Sequence, residues 1–189
     1  MPTVVVETER LLLRQFTAGD LDNLVELDSD PEVMHFINGG RPTPRDEVRD
    51  DVLPAFLGYH ERGELYGFFA AIDRTNGAFL GWFHFRPRPG DPPDEPELGY
   101  RLRRAAWGRG LASEGSQALI DRGFADHDVR RVVAETMVVN TASRRVMEKC
   151  GMQQVRVFHQ DWPDHIPGHE HGDVEYAITR AEWSAERRP

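Results

Sequence analysis

The sequence predicts a mixed α/β domain built in layers, and three observations carry that reading. Strand-like and helix-like segments alternate along 189 residues without internal repeats or low-complexity tracts. The run RRVVAETMVVN (130–140) is nearly continuous in apolar residues, as a strand covered on both faces requires. Ahead of it, AAWGRGLASEG (105–115) joins a strand to a helix through glycines, a junction that in layered α/β folds opens a ligand crevice where the strands end. With 39% hydrophobic residues, the length suits one domain, taken as 1–189, with material for a sizeable core.

Each element follows from local chemistry. Residues 10–16 read as the first strand, and Thr17 with Asp20 three positions later supplies a capping-box start for a helix through about Leu27. Asp30-Pro31 reads as a turn, followed by a Gly39-Gly40 loop. Thr43 before Pro44 reads as an N-cap and a first-turn proline, opening a second helix that Pro54 would kink or split. Residues 66–72 and 78–85 are strand-like and joined by DRTNG, whose Asn76-Gly77 is a hairpin signal. RPRPGDPPDEP (86–96) carries five prolines in eleven residues, which removes backbone donors and confines it to a loop between strands. Residues 97–102 form a further strand. From Leu111 to about Phe124, a helix presents Leu111, Ala112, Gly115, Leu119 and Ile120 as one apolar stripe. Residues 142–149 form a short helix stopped near Gly151, and 155–158 and 174–178 are closing strands separated by a loop rich in His, Pro and Gly.

Composition narrows the partners. Twenty-three basic against 32 acidic residues give a net charge of -9, which argues against general affinity for nucleic acid or anionic lipid and favours cationic small molecules or basic peptides. The single cysteine, Cys150, excludes an intramolecular disulfide. No stretch has the pattern of a signal peptide or the roughly 20 apolar residues of a membrane span, so the expected location is the cytoplasm.

Against the acidic whole stands a basic island of Arg101, Arg103, Arg104 and Arg109 around the glycine loop. Glycines at 108 and 110 let the backbone approach a ligand closely, and the following helix offers unpaired N–H groups and its positive dipole end, so the natural guest is an anion such as phosphate. A tight turn without a ligand would look similar. The Gly-Lys-Ser/Thr ending of a nucleotide P-loop and the third glycine of a dinucleotide fingerprint are both missing.

WGRGLA, a helix, an apolar strand and then NTASRRVMEKCGM resemble the acetyl-CoA-binding core of the GCN5-related N-acetyltransferases, in their RimJ/RimL-like branch. The resemblance covers most of the chain. TERLLLRQFTAGDLDNL is similar to the branch's N-terminal strand and helix, ELGYRL to its fourth strand and YAITRAEW to its closing strand. It implies a mostly antiparallel central sheet of about seven strands, helices on both faces, and fourth and fifth strands that splay around the cofactor. The family's glycine loop, [Gln/Arg]-x-x-Gly-x-[Gly/Ala], is matched by residues 107–112 except at Trp107. By this resemblance the pyrophosphate of acetyl-CoA would lie on the amides of Gly108, Arg109, Gly110, Leu111, Ala112 and Ser113. The fourth strand at Tyr100 to Arg104, with Leu102 and Arg104 as the named contacts, would pair with the pantetheine amides, and Asn140 would hydrogen-bond to the cofactor from the end of the fifth strand. No metal is implied.

Acetyl transfer to a primary amine, whether a small molecule or a protein N-terminus, needs an uncharged nucleophile, because an alkyl amine is mostly protonated at pH 7. Glu97 and Glu135 stand out in strands with few other charges. Glu97 is the preferred base, acting through water, and Glu135 is more naturally structural; His84 is a further candidate. Many family members carry a tyrosine acid seven positions beyond the equivalent of Asn140. Here that position is Met147, which leaves Ser143, at the start of the short helix, to protonate the departing thiolate. Ser143 as a simple helix-start residue is the competing reading. Cys150 reads as packing, so attack is expected to be direct, through a ternary complex.

DHIPGHEHGD (164–173) sets His165, His169 and His171 beside carboxylates, a spacing that zinc could use. Its Pro/Gly loop character favours shaping of the acceptor pocket instead. A non-catalytic acyl-CoA-binding regulatory module is the alternative function, since Trp107 and Met147 depart from the family pattern. A homodimer is compatible with the sequence and not fixed by it.

Overall fold

The computed structural model describes residues 2–60, 63, 65–163 and 165–186. Its centre is an eight-stranded sheet, one strand more than expected, because Val4–Glu7 (β1) pairs antiparallel with Leu11–Gln15 (β2). Three consecutive valines in β1 carry the β propensity that makes this edge strand. Gly67–Asp73 (β3), Phe79–Pro87 (β4) and Pro96–Leu102 (β5) continue the antiparallel meander. Arg131–Met137 (β6), Gln153–Phe158 (β7) and Asp173–Thr179 (β8) complete the sheet in the order β1-β2-β3-β4-β5-β6-β8-β7.

Helices cover both faces. Thr17 and Asp20 make the expected capping box, and the helix α1 spans Leu21–Asp28. Asp30-Pro31 is not a turn: the Asp30 carboxylate accepts from the Glu32 N–H at 3.0 Å and caps a helix, α2, over Pro31–Asn38, which Gly39 closes at φ 79°. Pro44, rather than Thr43, occupies the N-cap of the next segment, which runs as Arg45–Glu47 (α3), a π-helical stretch Val48–Val52 and Leu53–Gly58 (α4). Pro54 has no N–H to return to the Asp50 carbonyl, and the ladder widens just before it. Leu111–Asp126 (α5), Thr141–Lys149 (α6) and Arg180–Glu186 (α7) complete the helices; α7 takes in the end of YAITRAEW, so only the first part of that motif is strand.

Strand alternation sends one set of side chains to each layer. Phe83, Phe85, Leu98, Leu102, Val132 and Ala134 pack with Leu111, Leu119, Ile120 and Phe124 of α5. On the other face, Phe68, Phe79 and Trp82 pack with Leu24, Leu27, Phe16 and Phe56 beneath α1 and α4. The sheet is therefore a partition, and the site lies where it opens.

Candidate active site

The opening is between β5 and β6. These neighbours are parallel and paired in register at Glu97↔Val133 alone, whereas β4 and β5 match over seven pairs from Gly81↔Leu102 to Pro87↔Pro96. Parallel strands joined only near one end part toward the other, which gives the expected splay, here between the fifth and sixth strands because β1 adds one to the count.

On the α5 side of the opening lies the glycine loop. Gly108 (φ 70°) and Gly110 (φ 79°) are both left-handed, a conformation costly for any residue with a Cβ. A Cβ at Gly108 would meet nothing within 4 Å, so the backbone there faces open space. Gly110 is the N-cap of α5 and provides no side-chain cap, leaving the first-turn amides for a guest. A cradle of this shape, at the positive end of a 16-residue helix, fits a pyrophosphate. The loop is braced by Arg10, which sequence reasoning missed: its Nη1 donates to the Arg109 carbonyl at 2.8 Å, and its guanidinium pairs with Glu114 at 2.6 Å. An arginine a hundred residues away in sequence leaves no local signal.

The basic island disperses on folding. Arg101 pairs with Asp28 at 2.7 Å, Arg103 with Glu26 at 2.9 Å and Arg104 with Asp30 at 2.7 Å, all toward α1 and its junction with α2. Only Arg109, 3.9 Å from Asp73 and half exposed, stays at the glycine loop. Trp107 is exposed, and its indole N–H donates to the Leu102 carbonyl at 2.8 Å, tying the loop to the end of β5. Ser113 lies in the first turn of α5, and its carbonyl is 3.7 Å from the Cys150 Sγ.

Across the opening, the Asn140 side chain accepts from the Ser143 N–H at 3.2 Å and caps α6. Sequence reasoning named Tyr100 only within the strand that would pair with the pantetheine and missed its link to Ser143. Burial raises its phenol pKa, and a hydrogen bond with the Ser143 side chain partly offsets that rise. The signal available was alternation along ELGYRL, which puts Tyr100 on the face opposite Glu97.

On the other face, the His84 ring lies over Gly99, where an added Cβ would sit 2.6 Å from the imidazole, and its Nε2 reaches 3.4 Å from Glu97 Oε2. Burial pushes the Glu97 pKa up, but His84, Arg86 and Arg88 outweigh it and leave the carboxyl below its ordinary value, hence ionised at neutral pH. Glu135 behaves oppositely. Its burial dominates, the Arg88 guanidinium in contact with it offsets only part, and the nearby Glu97 and Glu175 charges add to a raised pKa. The structure thus brings Glu97 and His84 together and gives Glu135 to an arginine.

In the histidine loop, the His165 and His169 rings meet edge to face at 4.7 Å, and His169 Nδ1 lies 2.9 Å from the Ile166 carbonyl. Asp164 lies outside the described residues. Among the described residues, no group of three or more His, Cys, Asp or Glu is placed to hold a metal ion, and no helix is long and apolar enough to cross a membrane.

A sheet split between its fifth and sixth strands, with a glycine-loop helix N-terminus at the split, is the architecture of an acyl-CoA-dependent transferase. The model of the Acetyltransferase (GNAT) domain matches residues 10–153, and the chain belongs to this family. It is 34% identical over 190 residues to the FsC-acetyl coenzyme A-N(2)-transacetylase of Aspergillus fumigatus, covering 97% of this chain and 80% of that protein. It is 31% identical over 180 residues to the N-acetyltransferase YnaD of Bacillus subtilis, covering 95% and 99%. Among solved structures, a GNAT-family acetyltransferase from Bacillus anthracis superposes with a TM-score of 0.73 at 27% identity, covering 93% and 98%. RimL, a ribosomal-protein alpha-N-acetyltransferase solved with coenzyme A, shares the fold with a TM-score of 0.76 at 21% identity, covering 94% and 98%. The protein is an acetyl-CoA-dependent N-acetyltransferase.

Proposed function

We propose that residues 1–189 form one cytoplasmic acetyltransferase domain of the RimJ/RimL-like branch, which acetylates a primary amine, a small molecule or a protein N-terminus, by direct attack within a ternary complex. The observation that carries this reading is the single register pair between β5 and β6, because strands that part beyond it leave an opening with the glycine loop on one face of the sheet and Glu97 on the other. The amides of Gly108, Arg109, Gly110, Leu111, Ala112 and Ser113 hold the pyrophosphate, the main chain around Leu102 and Arg104 pairs with the pantetheine arm, and Asn140 contributes from the head of α6. Bound there, acetyl-CoA supplies the acetyl group as a thioester.

The side chains then divide the proton work. Glu97, ionised and oriented by His84, takes through a water the proton that the amine must shed as its nitrogen bonds to the acetyl carbon. Ser143, linked to Tyr100, returns a proton to the sulfur as the carbon–sulfur bond breaks. Glu135 supports the strand pair through Arg88 rather than touching the substrate. Direct attack is supported by Cys150, a buried thiol whose pKa burial pushes up to about 12, so that it carries no thiolate near neutral pH. The Aspergillus fumigatus relative is named for transfer to an N(2) position, in keeping with a primary amine here. A homodimer is compatible with this reading.

The test is release of free CoA thiol from acetyl-CoA against a panel of amines, with CoA protection of the protein against heating measured in parallel. Amine-dependent release, retained in Cys150→Ala, is expected. Thermal protection without release for any amine, or loss of release in Cys150→Ala, overturns the reading.

A further inference from the structure

A cavity of about 410 Å³ opens on the Glu97 face, between α2, α4 and the strands β4 and β5. Its size suits a small organic ligand. Of the seven buried polar side-chain atoms without a hydrogen-bond partner among the described residues, four belong to side chains lining this cavity: Trp82 Nε1, Arg86 Nε, Arg101 Nε and His84 Nε2, the last of which already faces the Glu97 carboxylate at 3.4 Å. Three of these four can only donate. A buried donor left unpaired costs about 1–3 kcal/mol, so such a cluster on one wall marks a place where an oxygen is expected to arrive.

The charges on that wall point the same way. Arg101 is neutralised by Asp28 at 2.7 Å. Arg86 has no carboxylate within ion-pair distance among the described residues; its guanidinium lies 5.2 Å from the Phe68 ring centre and 5.7 Å from that of Tyr59. Glu47, the other charged group lining the cavity, is exposed and screened by water. The inner wall therefore presents one cation with no close ion pair, whose charge also acts on Glu97 across the strand pair. Arg86 is also the direct cross-strand partner of Glu97, and such partners have Cβ atoms roughly 5 Å apart. An amine directed at Glu97, just beyond the cavity lining, and an anion directed at Arg86 can then be carried on one small molecule, and an α-amino acid is the simplest that joins them.

From this we infer that the acceptor is a small α-amino acid, whose carboxylate is read by Arg86 with help from the Trp82 indole N–H, rather than a polyamine or a peptide terminus. The inference rests on the proposed amine chemistry at Glu97 and specifies its substrate class. The aromatic lining of Phe56, Phe68 and Trp82 suits an apolar side chain.

Three matched amines test it in the full chain: L-phenylalanine, L-phenylalaninamide and phenethylamine, with kcat/KM read from CoA thiol release. Phenylalanine is expected to exceed phenethylamine at least tenfold, with the amide between them. Arg86→Gln is expected to reduce that ratio about tenfold and Arg86→Lys to restore part of it, with CoA still protecting both variants against heating. Equal turnover of phenylalanine and phenethylamine, or a ratio unchanged in Arg86→Gln, overturns the inference while leaving amine acetylation intact. If none of the three is turned over, binding of N-acetyl-L-phenylalanine in the presence of CoA decides: Arg86-dependent binding supports the inference against a failed catalytic reading, and absence of binding overturns it.

Discussion

Two glutamates on adjacent strands of one sheet face are given opposite characters by their neighbours. Glu97 has the imidazole of His84 beside it and two arginines within electrostatic reach, which together outweigh its burial and keep it ionised. Glu135 is held by Arg88 and pushed up by burial and by two like charges. A base must be unprotonated and free to receive, and of the two Glu97 suits that role better, because Glu135 is engaged by Arg88 and its pKa is raised. Glu97→Gln is therefore expected to lower kcat by about 10²-fold or more with acetyl-CoA binding retained, since positioned bases contribute on that order. Glu135→Gln should cost less than about tenfold in kcat and appear mainly as a lower Tm, because it removes one of the three carboxylates, with Asp91 and Glu175, that hold Arg88. Steady-state kinetics on both variants, paired with thermal melts, separate the roles; the reverse ranking would transfer the base to β6.

At the level of elements, the glycine loop is a conformational device, and Gly108 isolates it. An alanine there meets no atom within 4 Å but must adopt φ near 70°. The backbone strain costs about 1 kcal/mol, whereas the methyl group projects into the open space where the proposed reading puts the pyrophosphate. Gly108→Ala should therefore lower Tm slightly in the absence of ligand, yet remove most of the additional stabilisation that saturating CoA gives the native protein; differential scanning fluorimetry with and without CoA reads both. This loop was legible in the sequence because glycines before an apolar helix have a local cause. The same holds for the capping box at Thr17 and Asp20, the Asn76-Gly77 hairpin and the apolar strand at 131–137. The capping role of Asp30 was hidden because Asp-Pro begins both turns and helices, and the burial of Met34, which favours the helix, depends on the folded chain. The pairing of Arg101, Arg103 and Arg104 was hidden for a related reason: their partners lie about 75 residues away, so linear clustering looked like a phosphate site. The acceptor cavity left no linear trace either, since its walls come from α1, α2, α3, α4, β3, β4 and β5 together.

Across the whole molecule, buried acidic groups set how folding responds to pH. Asp20 is 2% exposed and accepts from both terminal nitrogens of Arg14 at 2.8 Å, from the Thr17 N–H at 2.9 Å and from Asn23 at 3.2 Å. Burial pushes its carboxyl up, but Arg14 and Thr17 more than compensate, so the folded pKa lies below the ordinary value. Glu114 and Glu175 are shifted in the same direction, by Thr8 and Arg10 in one case and by Arg156, Arg131 and Arg88 in the other, each against the opposing effect of burial. A depressed folded pKa means that the unfolded chain takes up its proton first as pH falls. The stabilisation is therefore complete above the unfolded carboxylate range, near pH 4, and is lost as pH falls through the folded values. Glu135, with its raised pKa, contributes in the opposite sense and offsets only part of this loss. Urea melts of the native protein should give a stability that changes little between pH 8 and pH 6 and declines steeply below about pH 4. Removing one partner of a buried pair costs about 3 kcal/mol, so Asp20→Asn should be destabilised by that order at pH 7, because it leaves the Arg14 charge without its carboxylate. The difference between mutant and native protein should then shrink as acid protonates Asp20 in the native fold, whereas a difference that stayed constant down to pH 2 would place the stabilising role of this aspartate in its shape and not in its charge.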